Sequence, residues 1–213
     1  MKLTWFGHSC FLLESAQARI LMDPYDPETL TTPLSVSADA VTVSHPHHDH
    51  DFLNAVSGDY ALLEKSCAFR DVTVTAIESF HDDCGGAERG KNTIFRFETG
   101  GLVLAHLGDL GHPLSPEQLN ALGKVDVLLV PTGGTYTLGP KEAADVARAV
   151  GAPCVVPMHY YIPTLMFPLE DVEEFLAEME EDYDVGYLPG RTVVLTAEAL
   201  SEKTVLVFDY LQE

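Results

Sequence analysis

His45-Pro46-His47-His48-Asp49-His50 follows directly on the apolar run Ala40-Val41-Thr42-Val43-Ser44. Residues 40–43 read as a buried strand, and the four histidines and one aspartate behind it fall in the pattern H-x-H-x-D-H. Imidazoles crowded this tightly cannot all be buried with both ring nitrogens satisfied, and none is a good helix or strand former, so packing gives no reason to gather them. Metal ligation does. His45 and His47, two apart in an extended segment, project to one side and can pinch one ion. Asp49 and His50, beyond the turn, point at a second. A histidine tag would sit at a terminus and carry no interposed aspartate.

Three more candidates stand where an apolar strand has just ended: His81 after Val74-Thr75-Ala76-Ile77, Asp109 after Val103-Leu104-Ala105, and His159 after Val155-Val156-Pro157-Met158. A lone histidine after a strand is ordinarily a surface or core residue. Matched placement behind an H-x-H-x-D-H favours convergence on one edge of a sandwich. Short apolar segments at 3–6, 10–13, 19–22, 40–43, 72–77, 94–97 and 102–107 are strand-like in length and separated by Gly, Pro or Asp. Later segments alternate: helices at 116–122 and 140–150 and an acidic amphipathic helix within 170–184, with strands at 125–130, 154–156, 191–195 and 204–208. The expected architecture is α/β (α+β): two mainly antiparallel half-sheets face to face, covered by helices as a four-layer αββα sandwich.

A length of 213 residues with 46% hydrophobic content suits one domain over 1–213. Twelve Lys and Arg against thirty-three Asp and Glu give a net charge of −21, which repels polyanions and argues against nucleic acid as a partner. No window approaches a membrane span, and the first residues have neither the length nor the cleavage pattern of a signal peptide. Cys10, Cys67, Cys84 and Cys154 lack paired spacing and fit reduced thiols, so a cytoplasmic location is expected.

Together with Gly7-His8-Ser9, Leu21-Met22-Asp23-Pro24, Arg89-Gly90-Lys91-Asn92, His106-Leu107-Gly108-Asp109, Pro131-Thr132-Gly133-Gly134 and Pro157-Met158-His159-Tyr160, the motif resembles the metallo-β-lactamase superfamily. Within it, the chain looks like the small metal-dependent hydrolases related to L-ascorbate-6-phosphate lactonase. The resemblance implies two divalent ions, with His45, His47 and His81 on the first, Asp49, His50 and His159 on the second, and Asp109 bridging. Zinc is the default ion and manganese the runner-up. It also implies hydrolysis of a small lactone, ester or phosphodiester by a metal-bridging hydroxide, which fits the absence of a G-x-S-x-G nucleophile elbow. Flavodiiron-like redox chemistry and nuclease activity are the alternatives on the same fold; His47 argues against the first, and compact length and acidity against the second.

Beyond the ligands, Asp49 is expected to orient the nucleophile or accept its proton, and His106 to stand behind the ligands, stabilising charge or protonating the leaving group. Arg89 or Lys91 is expected to receive an anionic part of a small-molecule substrate, with Asn92 bonding nearby; Arg89 paired to a surface acid is the plainer alternative. Tyr136, on a glycine-rich loop, is a further substrate-binding candidate. The apolar stretch 160–167 reads either as a pocket wall or as a core or subunit contact, which leaves homo-oligomerisation open. His8 and Asp23 could form a pair that orients a ligand, while His48 and His112 have no defined role.

Overall fold

The computed structural model describes residues 1–209; the single-domain expectation over 1–213 extends to four residues outside that range. In chain order the elements are β1 (Lys2–Gly7), β2 (Cys10–Glu14), β3 (Arg19–Met22), β4 (Val36–Ser37), β5 (Ala40–Thr42), β6 (Val56–Ser57), β7 (Ala61–Leu62), β8 (Cys67–Phe69), β9 (Val72–Phe80), β10 (Lys91–Thr99) and β11 (Leu102–His106). Then follow α1 (Pro116–Leu122), β12 (Val127–Pro131), α2 (Pro140–Val150), β13 (Cys154–Met158), α3 (Glu173–Met179), β14 (Asp184–Tyr187), β15 (Thr192–Val194) and β16 (Thr204–Val207).

A six-stranded sheet has the order β15-β1-β2-β3-β5-β7, an eight-stranded sheet the order β14-β16-β13-β12-β11-β10-β9-β8, and β4 and β6 form a small ribbon. The expected sandwich is there, with mixed rather than mainly antiparallel sheets. β3, β5 and β7 run parallel, as do β11, β12, β13, β16 and β14. The helices between these later strands are crossovers, which a parallel pair requires. The acidic helix is shorter than its periodicity predicts: α3 covers only Glu173–Met179, and Asp184 already begins β14.

Burial explains which strands lie at the centre. β11, β12 and β13 are buried at every residue, the pattern of strands covered on both faces, whereas β9 alternates. On the outer side α1 packs on β9, α2 on β12 and α3 on α2. Pro116 and Pro140 open α1 and α2 at positions that lack a hydrogen-bond acceptor anyway, and Ser115 with Gln118 closes a reciprocal cap on α1. Between the sheets, Phe11 of β2 stacks on Trp5 of β1 at 6.1 Å and meets Phe208 and the His106 ring of β11 edge-on, each at 6.2 Å.

Phe11 is fully buried at this seam. Phe11→Ala is expected to cost about 3–5 kcal/mol, read as a lower denaturation midpoint with an unchanged slope.

Candidate metal centre

One edge of the sandwich collects the ends of β1, β3, β5, β9, β11 and β13, and each contributes a polar residue there: His8, Asp23, the 45–50 run, His81, Asp109 and His159. Three of these leave their strand in the left-handed region, His8 at φ +53°, Asp23 at +48° and His159 at +52°. Such a conformation costs of order 1–3 kcal/mol for a residue with a Cβ and persists only where its surroundings enforce it. For His8 the enforcement is visible: its carbonyl accepts hydrogen bonds from the Trp5 indole at 3.0 Å and the His159 amide at 3.3 Å.

The 45–50 run is a chain of turns rather than an extended segment. The His47 amide donates to the His45 carbonyl, and the His50 and Asp51 amides donate to that of His47. The turn still faces the His45 and His47 rings edge to face at 4.5 Å, and the His81 ring lies 4.8 Å from that of His45. Donor atoms of His45, His47 and His81 all fall within 4.8 Å of one another, as do those of His8, Asp49, His50 and His159.

Asp109 lies between the two groups. Its Oδ2 is 3.2 Å from His81 Nε2, 3.1 Å from His159 Nε2 and 3.8 Å from His45 Nε2; its Oδ1 is 3.2 Å from His50 Nε2. His45 Nε2, His50 Nε2 and Asp109 Oδ1 are nevertheless buried without a hydrogen-bond partner. Buried polar atoms that face each other unpaired are costly, and a shared divalent cation satisfies them together. The donor set of imidazoles and carboxylates therefore fits metal ions.

Electrostatics follows from this crowding. Burial opposes ionisation of Asp109, but His159 and His50 outweigh it and hold the carboxyl well below its ordinary value. Burial likewise opposes a charge on His50, yet Asp109, Asp23 and Asp49 push its pKa well above the usual imidazole value. His45 goes the other way: burial, then the neighbouring His50, lowers it to about 3, and burial with His159 lowers His8 to about 4. Those two imidazoles are neutral at pH 7 and their lone pairs available.

Behind the cluster is an orienting network. Asp23 Oδ2 accepts from His50 Nδ1 at 2.8 Å and from the Ser44 hydroxyl at 2.6 Å, while Ser44 Oγ is 2.9 Å from His45 Nδ1. Asp23 thus orients His50 directly and His45 through Ser44, and His8 contacts Asp49 Oδ2 at 3.1 Å; they act on different ligand candidates rather than as a pair. Ser44 was missed at the sequence level, although a hydroxyl residue between a buried strand and the first histidine was a usable signal.

Three expectations are corrected. His106 is fully buried, its Nδ1 accepting from the Gly108 amide at 3.1 Å and its Nε2 donating to the Ser9 carbonyl at 2.9 Å. With both nitrogens engaged away from the pocket it cannot protonate a leaving group; it shapes the turn into Asp109. Asn92 is buried too, its amide donating to Ser79 Oγ and the Leu107 carbonyl and its Oδ1 accepting from the Asp109 amide at 3.0 Å. It holds Asp109, not substrate. Lys91 is exposed, 3.5 Å from Glu78, and borders a different cleft. Gly108 makes the tight approach possible: at φ +56° a Cβ there would collide with Asn92 Oδ1 and Ser44 Cβ.

A cavity of about 450 Å³ opens onto the cluster, lined by His47, His48, Asp49, His81, Arg89, Asp109, Tyr136, His159 and Phe167. Arg89 and Tyr136 both line it, and Arg89 also makes a loose ion pair with Glu88 at 3.8 Å. The stretch 160–167 divides between the two readings, since Phe167 walls the cavity while Tyr160 is buried against Trp5. His48 borders the cavity beside Asp26, and His112 lies elsewhere, against Phe80. Asp82, also missed, accepts from the amides of Cys84, Gly86, Glu88 and Arg89, folding the loop that presents Arg89.

Comparison with known proteins agrees with this geometry. A family profile described as a beta-lactamase superfamily domain matches residues 2–159. A UPF0173 metal-dependent hydrolase of Methanoculleus marisnigri is 30% identical over 95% of this chain and 100% of its own length. A crystal structure from Thermotoga maritima, described as a candidate zinc-dependent hydrolase of the metallo-β-lactamase superfamily, superposes with a TM-score of 0.78 at 41% identity over 97% of each chain. An isothiocyanate hydrolase from Delia radicum gut bacteria shares the fold alone, with a TM-score of 0.67 at 16% identity over 97% of this chain and 95% of that one. The chain belongs to the metallo-β-lactamase superfamily and, within it, to the UPF0173 metal-dependent hydrolases.

Proposed function

We propose that the protein is a dinuclear hydrolase that cleaves a small lactone, ester or phosphodiester carrying an anionic group. The observation that carries this reading is the position of Asp109, one oxygen within 3.2 Å of both His81 and His159 and the other 3.2 Å from His50. A single buried carboxylate that addresses two imidazole groups is suited to bridging two cations. His45, His47 and His81 would hold one ion, and Asp49, His50 and His159 the other, with Asp109 shared. Zinc suits these ligands and manganese is the next choice. When bound, such ions supply an acidified water and a Lewis acid for the oxygen under attack.

The chain's own residues do the rest. Asp49 borders the cavity, and although burial works against it, His50 and His8 hold its carboxyl far below the ordinary range. It therefore serves by accepting hydrogen bonds and orienting the nucleophile, and is a poor store for a proton. His8 and Asp23 fix the rotamers of Asp49 and His50, so the site is preorganised before substrate enters. Among the described residues lining the cavity Arg89 is the one Lys or Arg, which in a chain of net charge −21 supports its role as the anion receptor.

Metal analysis of the purified chain is expected to give about two ions per molecule. Asp109→Asn should drop this to one or fewer and reduce hydrolysis of model esters or phosphodiesters at least about 100-fold. Full activity with two ions retained in that variant would refute the dinuclear reading.

Asp23→Asn keeps the shape but weakens the acceptor for His50 and Ser44. Chelator competition should then show metal affinity weakened by about 10–100-fold, the usual effect of losing such a partner.

Because its carboxylate neighbours raise the pKa of His50, an ion taken at Nε2 competes with a proton for that atom. Titration calorimetry in buffers of different ionisation enthalpy should report proton release, with apparent affinity rising about tenfold per pH unit for each proton displaced. Heats independent of buffer would count against His50 as a ligand.

A further inference from the structure

The cavity wall that runs outward from the histidines is ordered in a way that a site for a plain small anion does not need. The Phe167 ring meets the His8 ring edge-on at 5.6 Å, the Tyr136 ring meets Phe167 edge-on at 6.3 Å, and the Arg89 guanidinium lies 5.9 Å from the centre of the Tyr136 ring. The His8 ring in turn lies tilted against that of His159, with centroids 4.3 Å apart. Read outward from the cluster, the sequence of surfaces is imidazole, phenyl, phenol, guanidinium.

This wall is fixed to the fold at several points. The Met166 amide beside Phe167 donates to the Thr29 carbonyl at 3.0 Å, and the Glu170 amide donates to the Gly133 carbonyl at 2.9 Å, tying the 161–170 strap to the loop that carries Tyr136. The Tyr161 amide closes the strap on the Glu170 carbonyl at 2.9 Å. Arg89 is anchored through its own amide, which donates to Asp82 Oδ2 at 2.8 Å. Tyr136 is 40% exposed, an unusual outlay of aromatic surface unless something covers it. Glu88 at 3.8 Å is a weak competitor for the guanidinium, because both side chains face water.

We propose that the substrate is an amphipathic anion: its scissile group lies at the Asp109 cluster, a flat apolar body lies along Phe167 and Tyr136, and a carboxylate or phosphate at its far end sits on Arg89. This deepens the hydrolase reading and rests on it for the identity of the scissile group. The order of the three parts follows from the order of the wall, so an anion next to the scissile bond, or an apolar body without an anion, would leave one surface unused. A cavity of about 450 Å³ has room for a body of a ring or a short chain between the two polar ends.

The test uses three non-hydrolysable probes on the metal-loaded full chain: methylphosphonate, benzylphosphonate and 4-carboxybenzylphosphonate, with dissociation constants read by titration calorimetry. Each addition, first the ring and then the distal carboxylate, is expected to tighten binding about tenfold. Phe167→Leu and Tyr136→Ala should remove most of the ring's gain and leave methylphosphonate binding unchanged. Arg89→Ala should remove the carboxylate's gain and leave the ring's intact. Metal content and circular dichroism, measured alongside, identify any variant that fails to fold, and the exposed Tyr136 makes its variant the safer of the ring pair.

Equal affinity for all three probes, or gains that survive these substitutions, would overturn the proposed substrate class. Turnover is scored separately. Hydrolysis of esters with a flat probe series sinks the amphipathic substrate alone, whereas a graded series on a metal-loaded chain that hydrolyses nothing sinks the hydrolase reading and leaves the binding preference standing.

Discussion

A carboxylate that is 2% exposed and surrounded by four imidazoles is the constraint on which this molecule turns. Removed from water, the Asp109 anion is tolerable only if polar groups face it on more than one side. The chain meets that requirement with residues drawn from separate strand ends and then spends further residues keeping the carboxylate still. Asn92 takes its backbone amide, His106 takes the amide of Gly108, and Gly108 itself gives up a side chain so that Asn92 and Ser44 can come close. The centre is a folding problem first and a catalytic device second.

The two sheets divide the work. Their buried middle strands supply rigidity, because β11, β12 and β13 have no face left to move into. Their ends supply chemistry, and the strained backbone at His8, Asp23 and His159 turns each side chain from the strand direction into the centre. The outer cavity wall comes from the loops: the Asp82 turn carries Arg89, the glycine-rich turn after β12 carries Tyr136, and the strap after His159 carries Phe167. Polar residues at the ends of buried strands and cavity walls on loops are parts of one fold that can vary independently in sequence.

The centre was legible in the sequence because its residues are chemically improbable elsewhere. Four histidines in six positions have no packing rationale, and the apolar runs before His81, Asp109 and His159 state where each strand stops. What was hidden depends on distance rather than on residue type. Nothing in Arg89-Gly90-Lys91-Asn92 says that alternation along β10 sends Lys91 out to Glu78 and Asn92 in to Asp109, because the strand's start had to be known first. His106 misled for a similar reason: proximity in sequence to Asp109 suggested a shared role, while its strand aims it between the sheets at Phe11 and Ser9. The parallel half of each sheet was missed because pairing direction leaves no mark on a short apolar run.

The residues of the centre are spread from His8 to His159 and arrive from the ends of several strands in two sheets, four of them on the single turn after β5. No fragment that stops short of β13 contains both groups of donors, and β13 is itself flanked in its sheet by β12 and by β16, which is synthesised last among the described strands. During synthesis the early H-x-H-x-D-H segment therefore emerges long before His81, Asp109 and His159. The full set of donors is thus a property of the completed fold and of no earlier length of the chain.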